Sequence, residues 1–79
     1  MRKQVTPDEI LDCRHLDCPV PIIRMKKTMI GMKAGEIIEI QSRGDGIKND
    51  IPAFVIRHGH EYLGHRDEEG YTRSFAKIR

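Results

Sequence analysis

A stripe of apolar side chains at helical spacing lies between two strand-like segments in the first half of this chain. Its members follow one another at steps of three, four and three residues, which is typical of a helix with one buried side. The members are Ile22, Met25, Met29 and Met32. "EILDC" (9–13) precedes the stripe and the β-branched "EIIEIQS" (36–42) follows it. This order predicts a β-α-β unit.

The first helix is predicted to begin around Pro19 and to close at "KAGE", where Gly35 is free to take a turn conformation. Ile23 and Ile30 sit seven residues apart beside the stripe, and we expect them to widen its apolar side. In the preceding strand, Leu11 and Cys13 are expected on one face.

A second helical pattern starts at Ile47, where apolar residues recur at steps of four, three and one. Pro52 interrupts it, and a proline inside a helix costs about 3 kcal/mol. Two starting points are therefore open. Either the helix begins near Asp50 with that residue as N-cap, or it begins at Asp45 and bends. Gly59 is expected to end it.

Two strand-like segments, "HEYLGHRD" and "YTRSFAKI", flank "EEG" and predict a hairpin. The complete order is β-α-β-α-β-β. It predicts a single domain over residues 1–79, a two-layer α/β sandwich in which two helices cover one face of a four-stranded mixed sheet. The other face should be polar, with four strand residues as candidates for it: Glu39, Gln41, Thr72 and Ser74.

Composition excludes several classes of protein. The chain has 79 residues, of which 38% are hydrophobic and 33% charged, so a folded globular domain is favoured over disorder. No apolar run approaches the roughly 20 residues of a membrane span, and no apolar segment follows the basic start as in a signal peptide. A net charge of +2 does not indicate nucleic-acid binding. With only two cysteines, a cytoplasmic location is expected.

Cys18 stands immediately before the first helix, in the segment Cys-Pro-Val-Pro. Pro19 and Pro21 favour a stiff first helical turn, since proline lacks the N–H that would be unsatisfied there. The positive end of a helix dipole stabilises a thiolate and lowers a cysteine pKa. Cys18 is therefore a candidate reactive thiol. The alternative is a small, partly buried N-cap residue.

Four motifs in order resemble the TusA/SirA family of small sulfur carriers, a resemblance that runs from about Ile10 to Ile78. The motifs are Leu11-Asp12, Cys18-Pro19-Val20-Pro21, Gly35-Glu36 and Asp50-Ile51-Pro52. The resemblance implies the same β-α-β-α-β-β fold. It also implies that Cys18 accepts sulfane sulfur, holds it as a persulfide and passes it on, as a carrier rather than a turnover enzyme, without a cofactor.

The implied partners are a cysteine desulfurase or rhodanese-like sulfur donor and a downstream sulfur-acceptor protein. The pathway served is left open between tRNA thiolation, cofactor assembly and sulfur metabolism. Arg24, Lys26 and Lys27 in the first helix are candidates for contact with an acidic partner. Their alternative role is plain solvation. Asp17 departs from the family pattern, and a carboxylate beside Cys18 opposes the thiolate.

Other readings remain open beside the carrier. Cys13 either pairs with or resolves Cys18, or packs as a small apolar strand residue, which we expect. The cysteines and histidines do not follow zinc-ligand spacing, and no metal is expected. A regulatory or binding module for RNA or protein, with Cys18 as a redox sensor, is the alternative function.

Overall fold

The residues that the computed structural model describes, 7–16 and 20–79, form a mixed sheet and two helices. The elements are β1 (Glu9–Asp12), α1 (Val20–Ile30), β2 (Ile37–Ser42), α2 (Asp45–Arg57), β3 (Glu61–Glu68) and β4 (Tyr71–Lys77). The strand order is β1-β2-β4-β3. β1 and β2 are parallel and joined through α1, whereas β4 is antiparallel to both β2 and β3. The predicted element order and mixed sheet are confirmed.

Both helices pack on the same side of the sheet, because the apolar residues of β2 and β4 alternate toward that side. Ile38 and Ile40 are fully buried there beneath Met25 of α1 and Ile51 of α2. The remaining buried core residues are Cys13, Met29, Ile47, Val55, Ala76 and Ile78. The layers are thus held together by burial of apolar surface between helices and sheet.

The prediction that Thr72 and Ser74 lie on the polar face is wrong. Ser74 pairs with Ile40 across the antiparallel ladder, and directly paired residues share a face. Ser74 is accordingly buried beneath the helices. The face opposite the helices carries Glu39 and its partner Phe75 instead.

The apolar side of α1 is narrower than predicted. Met25 and Met29 are buried, but Ile23 is 51% exposed and Ile30 is 76% exposed. The helix also ends earlier, at Ile30, because the Gly31 N–H turns back to the Thr28 carbonyl at 3.2 Å. Gly31 favours this end, since glycine is a poor helix former.

Of the two starting points for α2, the later one at Asp50 is wrong. The helix begins at Asp45, and the Lys48 N–H donates to the Gly44 carbonyl at 3.3 Å. Gly44 has φ 92 and ψ 146, a conformation open mainly to glycine. Burial of Ile47 in the core holds the turn that precedes Pro52.

Candidate functional site at the carboxyl ends of β1 and β2

Three residues at the centre of the sequence motif, Asp17, Cys18 and Pro19, lie outside the described residues. Leu16 and Val20 are the described residues on either side of them. Pro21, predicted to support the motif, is the second residue of α1 and is fully buried. A proline there costs no intrahelical hydrogen bond, because the first four N–H groups of a helix have no partner within it.

The carboxyl ends of β1 and β2 meet at one edge of the sheet, and both helices begin from that edge. The Cys13 N–H donates to the Gln41 carbonyl at 2.8 Å, which extends the parallel pairing one residue past β1. α1 then begins at Val20 and α2 at Asp45. The positive ends of both helix dipoles therefore point to the edge at which the motif segment leaves β1.

The chain that leaves β1 is held by hydrogen bonds of its own. The Leu16 N–H donates to the Cys13 carbonyl at 3.1 Å, forming a turn. The Arg14 guanidinium donates to both oxygens of the Asp12 carboxylate, at 2.9 Å each. These hydrogen bonds lower the pKa of Asp12 to about 2. The guanidinium carbon of Arg14 also lies 5.1 Å from the ring centroid of Tyr71, which ties this turn to β4.

A polar hollow of about 390 Å³ lies beside this turn. Its lining residues are Arg14, His15, Arg43, Glu69, Gly70 and Tyr71. Arg43 donates from Nε to the Gly70 carbonyl at 3.2 Å, so the loop after β2 is fastened to the β3–β4 turn. Arg14 and Arg43 could not be predicted as residues of this hollow from the sequence, because their partners are known only once the strands are paired.

Cys13 packs as a core residue, as expected. It is fully buried, and it joins the cluster formed by Met25 and Ile40. Burial raises the pKa of its thiol, and the nearby Arg24 guanidinium only partly offsets that rise. Cys13 is therefore a protonated, shielded thiol at neutral pH.

The three candidate partner-binding cations are exposed, but α1 does not present them as one patch. Arg24 lies on the flank of α1 toward Cys13, and its charge offsets part of the rise in the pKa of the Cys13 thiol. Lys26 lines a groove shared with α2. Two residues in a helix are separated by about 200° of rotation, so Arg24 and Lys26 point in opposite directions, with Lys27 between them on the outer surface.

Among the residues that the structure describes, no three histidine, cysteine, aspartate or glutamate side chains are grouped as a metal site would require. Neither of the two described helices has the length and apolar character to cross a bilayer.

Comparison with known proteins gives consistent matches. The family model described as "Sulfurtransferase TusA" matches residues 9–77. The Bacillus subtilis protein YrkF is 41% identical over 68 residues, which cover 86% of this chain but only 37% of YrkF. The chain thus spans little more than a third of that relative. Sulfur carrier protein TusA of Allochromatium vinosum is 35% identical over 63 residues, 80% of this chain and 83% of that protein.

A solved structure gives an independent comparison of the fold. The SirA-like protein from Desulfitobacterium hafniense superposes with a TM-score of 0.74, over 87% of this chain and 95% of that one. The two sequences are 22% identical, so the likeness supports the arrangement of helices and strands rather than any residue's role.

Proposed function

This chain belongs to the TusA family of sulfur carriers, and from that premise we propose that Cys18 carries the sulfur as a persulfide. The observation that carries the proposal is the family match over residues 9–77, which includes the Cys-Pro-Val-Pro segment. Cys13, the other cysteine, is buried and protonated and so is unsuited to the role.

The transfer is a pair of thiol–persulfide exchanges. The Cys18 thiolate attacks the outer sulfur of a donor persulfide, the donor S–S bond breaks, and the donor leaves as a thiolate. Cys18 then holds the outer sulfur. In the second exchange, an acceptor thiolate attacks that sulfur and Cys18 is released as a thiolate. No net oxidation occurs, and the chain is unchanged after one donor and one acceptor have reacted.

The described surroundings of the motif suit this chemistry. Two helix N-termini meet at the edge from which the motif segment leaves, and their dipoles stabilise a thiolate or a persulfide anion nearby. Burial of Pro21 fixes the first turn of α1 against the core. The hydrogen bonds between Arg14 and Asp12 hold the other end of the segment.

The partners that we propose are a cysteine desulfurase or a rhodanese-like protein as donor and a sulfur-acceptor protein downstream. Arg24, Lys26 and Lys27 are proposed to contact acidic groups of these partners. A carrier that works through a free thiolate needs a reducing compartment, and we therefore propose that it acts in the cytoplasm.

Intact-mass measurement tests the proposal. Reduced protein is incubated with a cysteine desulfurase and cysteine and, in parallel, with a rhodanese and thiosulfate. We expect the mass of one sulfur atom to be added to the wild type and to the Cys13→Ala variant, but not to Cys18→Ala. Treatment with dithiothreitol should remove the added mass, as it does for a persulfide.

Two results would contradict the proposal. One is added sulfur on Cys18→Ala, which would place the carrier thiol elsewhere. The other is the absence of added sulfur on the wild type with both donors while Cys18 remains reactive to iodoacetamide. Circular dichroism of both cysteine variants confirms that they are folded.

A further inference from the structure

A groove of about 280 Å³ lies between the C-terminal halves of α1 and α2. Since both helices begin at the motif edge of the sheet, the groove is at the far end of the helical layer. Its lining residues are Lys26, Met29, Ile30 and Met32 from α1 and the following turn, Phe54 and His58 from α2 and its end, and His60 and Arg79.

The floor of the groove is apolar and packs against the core. Met29 is buried in the core, and Met32 and Phe54 pack against that core. The rings of Phe54 and His58 are stacked, with centroids 4.1 Å apart and an interplanar angle of 26°. Ile30, on the α1 side, leaves 76% of its surface exposed, so the apolar lining continues out onto the rim.

The rim is cationic or hydrogen-bond donating. Lys26 and Arg79 each supply a positive charge, and none of the described lining residues is acidic. The His60 Nδ1 accepts a hydrogen bond from the Arg79 N–H at 3.1 Å, which leaves the proton of the neutral ring on Nε2 as a donor. Two of the acidic residues near this end are engaged elsewhere: Glu36 accepts from the Lys33 N–H at 2.7 Å, and Asp8 accepts from the Ile37 N–H at 2.8 Å. Glu61 pairs with Lys77 in the β3–β4 ladder.

The groove is small and open, which favours a side chain of a protein partner over a free small molecule. Sites for free small molecules usually measure about 300–1,000 Å³ and enclose most of the ligand. This groove is at the lower end of that range and is open along one side, so it would leave much of a free ligand exposed but can receive a single side chain projecting from a protein surface. An apolar anchor in a pocket at the centre of a contact is a common source of binding energy between proteins.

The outer surface of α1 links the groove to the motif. Val20, Ile23 and Ile30 are all exposed, and they follow one side of the helix from its first residue to its last. Ten residues of helix cover about 15 Å. A protein interface of ordinary size buries about 800 Å² on each partner, enough to reach from the motif to the groove.

We propose that this groove anchors the partner with which sulfur is exchanged, through one apolar side chain of that partner flanked by carboxylates. The apolar group contacts Met29, Ile30 and Phe54. The carboxylates of the partner contact Lys26 and Arg79. This proposal rests on the proposed carrier function, because it supplies the partner contact that a carrier needs.

Peptide probes test the recognition directly, without Cys18 chemistry. The folded protein labelled with ¹⁵N is titrated with a capped pentapeptide that has leucine between two pairs of glutamates. We expect amide shifts concentrated at Met29, Ile30, Phe54 and His58. The same peptide with lysines for glutamates, or with serine for leucine, should bind at least about fivefold more weakly.

Variants with matched controls locate the contact. Ile30→Glu and Lys26→Glu should each weaken binding of the acidic peptide at least about fivefold. Ile56→Glu is the control for the first, since Ile56 is 66% exposed on α2 but is not part of the groove. Lys77→Glu on β4 is the control for the second. Equal losses in variant and control, or no shift at the groove, would overturn the proposal, as would tighter binding of octanoate than of the peptide at the same amides.

Sulfur transfer separates failure of this proposal from failure of the carrier function. Inorganic polysulfide, which needs no protein contact, should load Cys18 of Ile30→Glu as fast as that of the wild type. Transfer from whichever desulfurase or rhodanese loads the wild type should slow at least about fivefold in Ile30→Glu and stay unchanged in Ile56→Glu. Unchanged transfer in both variants would overturn the groove proposal alone, whereas no loading of the wild type by any donor would overturn the carrier function.

Discussion

Arg73 donates two hydrogen bonds to Glu39 on the face of the sheet opposite the helices, from Nε to Oε2 at 3.0 Å and from Nη2 to Oε1 at 3.2 Å. Gln41 donates to the same carboxylate at 2.7 Å. The Glu39 side chain is only 2% exposed. A carboxylate so deeply buried is tolerated because three donors satisfy it.

Removing Arg73 should therefore destabilise the fold well beyond the usual cost of a surface change. Arg73→Met leaves the Glu39 charge buried with only Gln41 as a donor, and we expect a loss of roughly 2 to 3 kcal/mol in the free energy of unfolding, measured in urea. The double variant Arg73→Met/Glu39→Leu should recover most of the loss.

The ion pair between Lys48 and Asp67 gives the matched comparison. Its atoms are 2.9 Å apart, but Asp67 is 60% exposed. Lys48→Met should destabilise the fold much less than Arg73→Met does, since water screens an exposed pair. Equal losses in the free energy of unfolding for Arg73→Met and Lys48→Met would contradict the role assigned to the burial of Glu39.

Stability should fall in acid. Burial alone would raise the pKa of Glu39, but the hydrogen bonds from Arg73 and Gln41 outweigh it and hold the pKa below its ordinary value of 4.5. Hydrogen bonds from Arg14 lower the pKa of Asp12 from 3.8 to about 2. A carboxyl group with a lowered pKa in the folded state binds its proton more readily when unfolded, so its contribution is complete above about pH 4.5 and is lost as the pH falls.

Urea unfolding at intervals between pH 6 and pH 2 measures this dependence. The wild type should be stable to a constant degree down to about pH 4.5 and then lose stability toward pH 2. Arg73→Met/Glu39→Leu should show a shallower decline, because it lacks one of the responsible carboxylates. An identical slope in both proteins would contradict the role assigned to Glu39.

The order of helices and strands could be predicted because periods of 3.6 and 2 residues are visible in the chain itself. It was harder to predict which face of the sheet each strand residue occupies. Ser74 and Thr72 are small and polar, which suits an exposed strand position, yet the antiparallel register places them beneath the helices. Phe75, which looks like a core residue, lies instead on the opposite face, where the Arg73 guanidinium carbon is 5.3 Å from its ring centroid.

The candidate site likewise combines residues that a local motif marks with residues that only the folded chain brings together. Cys18 and its prolines could be predicted as candidate site residues because they form a contiguous motif. Arg43 meets Gly70 across 27 positions of sequence, and no local pattern marks such a pair. The groove likewise combines Lys26 and Ile30 with Phe54 and His58, which become neighbours only when α1 and α2 pack.

The start of α2 depends on glycine at position 44. Gly44 has φ 92 and ψ 146, a region in which residues with a side chain are strained. Gly44→Ala should therefore lower the free energy of unfolding by about 1 to 3 kcal/mol. Gly46 lies inside α2, where an added Cβ would meet no atom within 4 Å. Gly46→Ala should therefore be neutral or stabilising by up to about 1 kcal/mol. Thermal unfolding of both variants measures the contrast, and equal effects would contradict it.

Cys13 should resist alkylation in the folded protein. Its thiol is fully buried, and burial raises its pKa. At pH 7.5, iodoacetamide should add one label to the native wild type and none to Cys18→Ala within the same time. In urea the wild type should take two labels. Mass spectrometry of the intact protein counts them, and equal labelling of both cysteines in the native protein would show that Cys13 is accessible.

Asp17 should make Cys18 a weaker acid than it would otherwise be. Asp17 precedes Cys18 in the chain, and a neighbouring negative charge disfavours a thiolate, so removal of the carboxylate should lower the pKa of the Cys18 thiol. The rate of iodoacetamide reaction with Asp17→Asn, followed from pH 5 to pH 10, gives that pKa. Glu61→Gln is the control. Glu61 is the first residue of β3, and β3 is the outermost strand on the side of the sheet away from β1. A shift of the same size in both variants would indicate a general charge effect, and no shift in Asp17→Asn would mean that the carboxylate does not act on the thiol.

A faster sulfur uptake by Asp17→Asn at pH 7 should accompany the lowered pKa, because a larger fraction of Cys18 is then thiolate.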